Sequence, residues 1–315
     1  MAFWKRKKAK DAMAGLAIMT SGIYYLDLAR EGEGLSVKRQ EFVGYSRAAV
    51  KQNGLVYPMA VLDSVYELSA KIGGFSCPVS IGLPSRDFMI RNVDLPNMDL
   101  PMAKDAVQWD FEKHFPYPVT EALYDVSNVD LPSGNDKEDT VHLLVASVKR
   151  SKIEPLLDGF KAHGVPMLSM EPNNVAAFRA MVGKGYESEQ GYMVLMVYSE
   201  GVQFVIGFKE SSLFYRAVPF PADLAMGIDE LGNRVVSEIQ ATLNYIKTIF
   251  RDLPIGSIIL GGDHSVREVL RERISRSMET PVLVVSPWQN WNIAGAPEES
   301  GESESVVGLA VRDLL

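Results

Sequence analysis

Hydrophobic and polar positions alternate through the first part of the chain in short runs separated by turn residues. Residues 15–20 (GLAIMT), 23–30 (IYYLDLAR) and 35–44 (LSVKRQEFVG) read as successive strands, with Glu31-Gly32-Glu33-Gly34 as a turn. Alternation at Tyr25 and Asp27, and at Val37, Arg39 and Glu41, predicts half-buried antiparallel strands. The period then lengthens. Val61, Leu62, Val65, Leu68 and Ile72 fall on one helical stripe, and Gly73-Gly74 ends that helix before a strand over 77–83.

From 88 to 164 the order is strand (88–95), helix (102–115), strand (122–129), strand (140–148), helix (151–164). This β-α-β-β-α order predicts a small inserted domain. Pro96, Pro101, Pro116 and Pro118 bracket its first helix, because the residue before a proline is pushed out of helical geometry. Residues 133–139 form a polar hairpin tip. Beyond 166 a strand leads into a helix with its cap expected at Asn173 or Asn174. Strands over 192–199, 201–208 and 213–220, a helix over 229–250, a strand over 257–263 and a helix over 265–277 then repeat the plan of the first half. An acidic loop (295–305) and a short helix close the chain. The expected divisions are a basic tail (1–14), a first core (15–85), an insert (86–165) and a second core (166–315).

Composition narrows the function classes. The chain has 315 residues, 47% apolar and 23% charged, enough for one large or two modest globular domains. Its net charge of −8 excludes a general nucleic-acid binder, which needs a basic face. No apolar run reaches the roughly 20 residues of a membrane span, and the opening lacks a signal-peptide core, so a cytoplasmic location is expected. Cys77 stands alone, which excludes an internal disulfide and predicts a buried thiol. The local exception to the acidic balance is residues 3–10, where Phe3 and Trp4 precede Lys5, Arg6, Lys7, Lys8 and Lys10. Two readings stand side by side: peripheral contact with an anionic membrane, or a solvated tail.

Residues 83–126 carry a more specific signal. They combine an L-P-S turn, an R-N-V-D-L-P strand exit, a helix bearing acidic and aromatic residues, and F-P-Y-P before the next strand. A G-L-A-x-R segment follows near the C-terminus. This pattern resembles the PilM-type proteins of type IV pilus assembly, members of the actin-like ATPase superfamily related to FtsA and to the cytoplasmic domain of GspL. The resemblance implies an actin-like α/β fold, a duplicated ribonuclease H-like architecture with a small inserted domain. It also implies a scaffold peripheral to the inner membrane, holding the cytoplasmic N-terminal peptide of a single-span PilN-like partner. Phe88, Ile90, Trp109 and Phe115 are candidates for that peptide groove, or equally core residues of the insert. Because the chain ends at Leu315 without a transmembrane helix, a separate gene product is expected rather than a GspL-like membrane protein.

The resemblance also directs attention to a nucleotide cleft. The family's first glycine hairpin, G-I-D-I-G-S-S, corresponds to residues 15–22, with Ala17 where the acid belongs and Met19 in place of glycine. Thr20, Ser21 and Gly22 remain as possible phosphate contacts, or Thr20 and Ser21 only end a strand. The second hairpin corresponds to residues 196–201, with Val197 at the aspartate position and Ser199, Glu200 and Gly201 in the turn. Further on, Gly-Gly-Asp has become Pro221-Ala222-Asp223, and the ribose-contacting segment after it reads as deleted. Gly261-Gly262-Asp263 survives before a helix, either as a ligand turn or as backbone geometry alone. The expected function is a scaffold with a degenerate cleft and no cofactor. The alternative is a protein in which bound ATP regulates pilus assembly. No other chemistry competes. His114, His142, His163 and His264 are scattered without metal-ligand spacing, Asp105, Asp110 and Glu112 lie around Trp109 rather than forming an acid pair, and P-loop, dinucleotide and nucleophile-elbow motifs are missing.

Overall fold

The computed structural model describes residues 11–46, 57–132, 139–183, 186, 188–198, 201–220, 227–297 and 302–314. The first half opens with β1 (Ala12–Ile18), β2 (Gly22–Glu31) and β3 (Gly34–Gly44), then α1 (Pro58–Ile72) and β4 (Val79–Leu83). Next come β5 (Phe88–Pro96), α2 (Leu100–His114), β6 (Ala122–Asn128), β7 (Thr140–Lys149), α3 (Arg150–Ala162), β8 (Met167–Pro172) and α4 (Asn173–Val182). The second half contains β9 (Gly191–Tyr198), β10 (Gly201–Phe208), β11 (Ser211–Pro219), α5 (Ile228–Ile249), β12 (Ile255–Gly262) and α6 (His264–Ser277). Last are β13 (Val282–Val284), α7 (Pro287–Asn290), β14 (Ile293–Ala294) and α8 (Glu304–Val311).

The two main sheets repeat one plan. In the order β14-β3-β2-β1-β4-β8, the meander β1–β3 is antiparallel and β4 returns parallel to β1, with Leu16 beside Ile81. In the order β11-β10-β9-β12-β13, β12 returns parallel to β9, with Leu195 beside Leu260. Each parallel return needs a crossover, and α1 and α5 supply them.

That arrangement corrects one expectation. Tyr25 and Asp27 do not belong to a half-buried strand, since both are buried along with most of β1 and β2. One face of the first sheet packs against Val61, Leu62 and Val65 of α1 and Ile153, Leu156 and Phe160 of α3. The other packs against Val306, Leu309 and Ala310 of α8 and against Trp288 and Trp291. A sheet with parallel strands covered on both faces loses the alternation of a solvated one. Cys77 is buried as expected, with Sγ 3.4 Å from Asp27 Oδ1.

The insert has its own core beneath α2, where Val93, Val107, Phe111, Phe115, Val126 and Val145 meet on the sheet β5-β7-β6. Its predicted last helix, α3, packs instead on the first core. Gly159 permits this, because a Cβ there would lie 2.3 Å from Leu62 Cδ1. The chain also crosses back later, since β8 pairs with β4, β14 pairs with β3, and α8 packs against β1 and α4. The α4 cap differs from expectation as well. Its N-cap is Pro172, Ser85 Oγ accepts from the Asn174 N–H at 3.0 Å, and the Asn173 side chain donates to the Ile18 carbonyl at 2.8 Å.

Candidate functional site

Hydrogen bonds join the ends of β1, β9 and β12 to the first turns of α4 and α8, through Ile18 and Asn173, Ser305 and Asn173, and Tyr198, Gly262 and Glu304. In the β1–β2 hairpin, Thr20 is half-buried and Ser21 exposed, while Gly22 serves packing, because a Cβ there would sit 2.3 Å from the Val43 carbonyl. Ala17 is fully buried in the apolar layer shared with α8. A carboxylate at that position would face hydrocarbon, a costly placement.

On the second half, Val197 is buried in the sheet core, and its carbonyl accepts from the Asp263 N–H at 2.8 Å. Ser199, Glu200 and residues 221–223 lie outside the described residues, as do residues 1–10 and 133–138. Gly201 opens β10, where a Cβ would lie 2.5 Å from the Val218 carbonyl.

The Gly261-Gly262-Asp263 turn is defined atom by atom. Gly262 has φ +98°, and a Cβ would lie 2.1 Å from the Val197 carbonyl, so only glycine fits. Asp263 caps α6 by accepting from the Ser265 N–H at 2.9 Å. The Gly262 N–H donates to Glu304 Oε1 at 2.7 Å, and the Tyr198 hydroxyl lies 3.2 Å from Glu304 Oε2 as donor. Glu304 is 2% exposed and is the first residue of α8. It also borders a cavity of about 280 Å³ with His264, Arg267, Trp288 and Gln289. Sequence reading missed Glu304, which sits in an acidic run with no motif to single it out.

The amide at the Gly-Gly turn holds a side chain of the chain itself, Ala17 and Val197 offer no carboxylate, and no cluster of three or more metal-ligating side chains occurs among the described residues.

The four groove candidates fall in separate environments. Alternation along β5 sends Phe88 and Ile90 to the sheet face opposite Met89, Val93 and Leu95, which lie beneath α2. Phe88 packs on the first core, and Ile90 is half-buried. Trp109 projects from α2 at 90% exposure. Phe115, at 2% exposure and stacked on Phe111 with ring centroids 4.6 Å apart, lies in the core of the insert, the second of the two readings given for it. Within the insert, His142 Nδ1 lies 2.8 Å from Asp94 Oδ1.

Two sheets of one plan, each meander followed by a crossover helix and a parallel return, define an actin-like ATPase fold. No family model matches the sequence, and no curated protein matches it. Among solved structures, the chain is similar to one described as the PilM-PilN type IV pilus biogenesis complex, at TM-score 0.76 and 17% identity, covering 99% of this chain and 100% of that one. It is also similar to the cytoplasmic domain of EpsL, an inner-membrane component of the type II secretion system of Vibrio cholerae (TM-score 0.51, 12% identity, 94% and 92% covered). A third is a Bacteroides thetaiotaomicron protein of actin-like ATPase fold (TM-score 0.53, 10% identity, 96% of each chain covered). At these identities the likeness is one of fold.

Proposed function

We propose that this chain is an actin-like scaffold of a type IV pilus or type II secretion inner-membrane platform, with a degenerate nucleotide cleft. It holds the cytoplasmic N-terminal peptide of a PilN-like single-span membrane protein. The observation that carries the reading is the likeness to a chain of a PilM-PilN type IV pilus biogenesis complex over 99% of this chain, insert included. Among the described residues no helix is long and apolar enough to cross a membrane. Attachment then comes from the partner, with residues 3–10 adding peripheral contact to anionic lipid. Phe88 and Ile90 share the insert face turned away from α2, which suits a peptide laid between insert and cores, and Trp109 offers a second, separate contact. A disabled cleft is supported by buried Ala17 and Val197 and by the carboxylate on the Gly262 amide.

Calorimetry with a synthetic peptide matching the cytoplasmic segment of a PilN-like protein from the same organism tests the partner. Saturable binding, weakened in an Ile90→Asp variant that keeps the wild-type urea midpoint, is expected. Unchanged binding in that variant removes the groove assignment, and absence of binding to wild type removes the partner. MgATP titration tests the cleft, for which micromolar binding would refute the disabled reading.

A further inference from the structure

We propose that the Gly261–Gly262 turn is a carboxylate receptor occupied by the chain's own Glu304, fastening the two halves together where a ligand of the cleft would enter. Both oxygens of the carboxylate are engaged, one by the Gly262 N–H at 2.7 Å and the other by the Tyr198 hydroxyl at 3.2 Å. These donors stand at the ends of neighbouring strands β12 and β9, both in the second sheet. The acceptor stands on α8, whose apolar face is buried against the first sheet with Ala17 and Leu26.

The receptor is built rather than incidental. Gly261 leaves space that a Cβ would take, 3.2 Å from Glu304 Oε1 and 2.7 Å from Met181 Cε. Gly262 takes a left-handed backbone that aims its N–H at the carboxylate. Neighbouring bonds hold the start of α8 in register: Trp288 Nε1 donates to Ser303 Oγ at 3.1 Å, and Ser305 Oγ donates to the Asn173 carbonyl at 3.2 Å. A bond from an amide to an ionised acceptor is about twice as strong as one between neutral groups, and burial removes the competing water. An external anion of the cleft would therefore meet a donor already engaged and would have to displace α8's first turn. The consequence for cleft ligands rests on the proposed degenerate cleft, whereas the clasp itself does not.

The test is made on the full chain. In Glu304→Ala the Gly262 amide loses its acceptor, so its hydrogen exchange rises by about tenfold or more, the loss expected from one such bond. Formate, small enough for the vacated space, lowers that exchange and raises the urea midpoint saturably, whereas chloride at equal ionic strength does not and wild type is indifferent to both. Equal effects of formate and chloride on the variant, or an equal formate effect on wild type, overturn the proposal. If Glu304→Ala does not fold, Glu304→Gln keeps the volume and one acceptor. Its Gly262 amide should exchange several-fold faster than in wild type, and an unchanged rate means that charge is not what the turn recognises. MgATP binding to wild type would sink the disabled cleft yet leave the formate result free to support or sink the clasp.

Discussion

Replacing Arg179 by Met probes the ion pair that ties α8 to the first half. Arg179 of α4 donates from Nη1 and Nη2 to Glu171 Oε1 and Oε2 at 2.7 and 2.9 Å, and from Nη1 to the Gly308 carbonyl of α8 at 2.8 Å. Arg312 approaches Glu171 more loosely, at 3.9 Å. Glu171 is 3% exposed. Breaking one side of a buried pair leaves an uncompensated charge and costs about 3–5 kcal/mol, whereas replacing both members by apolar residues of similar volume costs little. Arg179→Met and Glu171→Met are each expected to lose about 3–5 kcal/mol in urea unfolding near neutral pH. The double variant should lose less than either single. If its loss instead equals the sum of the two, the side chains act through packing, and the pairing argument fails.

The same pair sets an acid limit. Burial alone would raise the Glu171 pKa, but Arg179 and Arg312 outweigh it and hold the carboxyl below its ordinary value. Its contribution is therefore present above about pH 4.3 and lost as pH falls through the lowered value. Asp27 acts in the opposite sense. Burial raises its pKa against the lowering by Cys77 and Arg39, so folded protein binds its proton first and gains stability as pH falls toward the ordinary aspartate range. Urea midpoints from about pH 7 to about pH 3 should fall less steeply at the acid end in the Glu171→Met/Arg179→Met variant than in wild type. An equal slope assigns acid lability elsewhere. Phe115→Ala should cost about 3–5 kcal/mol through a cavity in the insert, while Trp109→Ala should stay within about 0.5 kcal/mol. A large loss in the Trp109 variant would contradict its exposure. Burial pushes the Cys77 thiol up to about 12, with the Asp27 charge adding to the shift. A thiol reagent near pH 8 should react at the unfolding rate in native buffer and at once in denaturant; fast native reaction would refute the buried assignment.

The elements themselves are readable from the chain because periodicity reports which positions share a face. The α1 stripe is an example, with Val61, Leu62, Val65, Leu68 and Ile72 all buried as the 3.6-residue spacing requires. Periodicity does not report what covers a face. Ile153, Leu156 and Phe160 share one face of α3, yet the core they enter is mainly that of α1 and the first sheet, with Val148 at its insert border. Tyr25 and Asp27 alternate as a half-solvated strand would, yet the alternation is erased because α1 covers the Tyr25 face while α8, returning from the far end of the chain, covers Leu26 and Leu28 on the other. The cleft shows the same limit at atomic scale. That Ala17 and Val197 carry no carboxylate is visible in a string of letters. The carboxylate that meets the Gly262 amide is not visible. Glu298, Glu299, Glu302 and Glu304 stand within seven residues of each other and look alike in sequence. Glu304 differs by opening a helix whose apolar face is already fixed against the first sheet, and that placement brings one carboxylate of an acidic run to a buried amide of the other half. A residue of this kind acquires its role from long-range topology, so an acidic run read as sequence does not show which of its carboxylates reaches the turn.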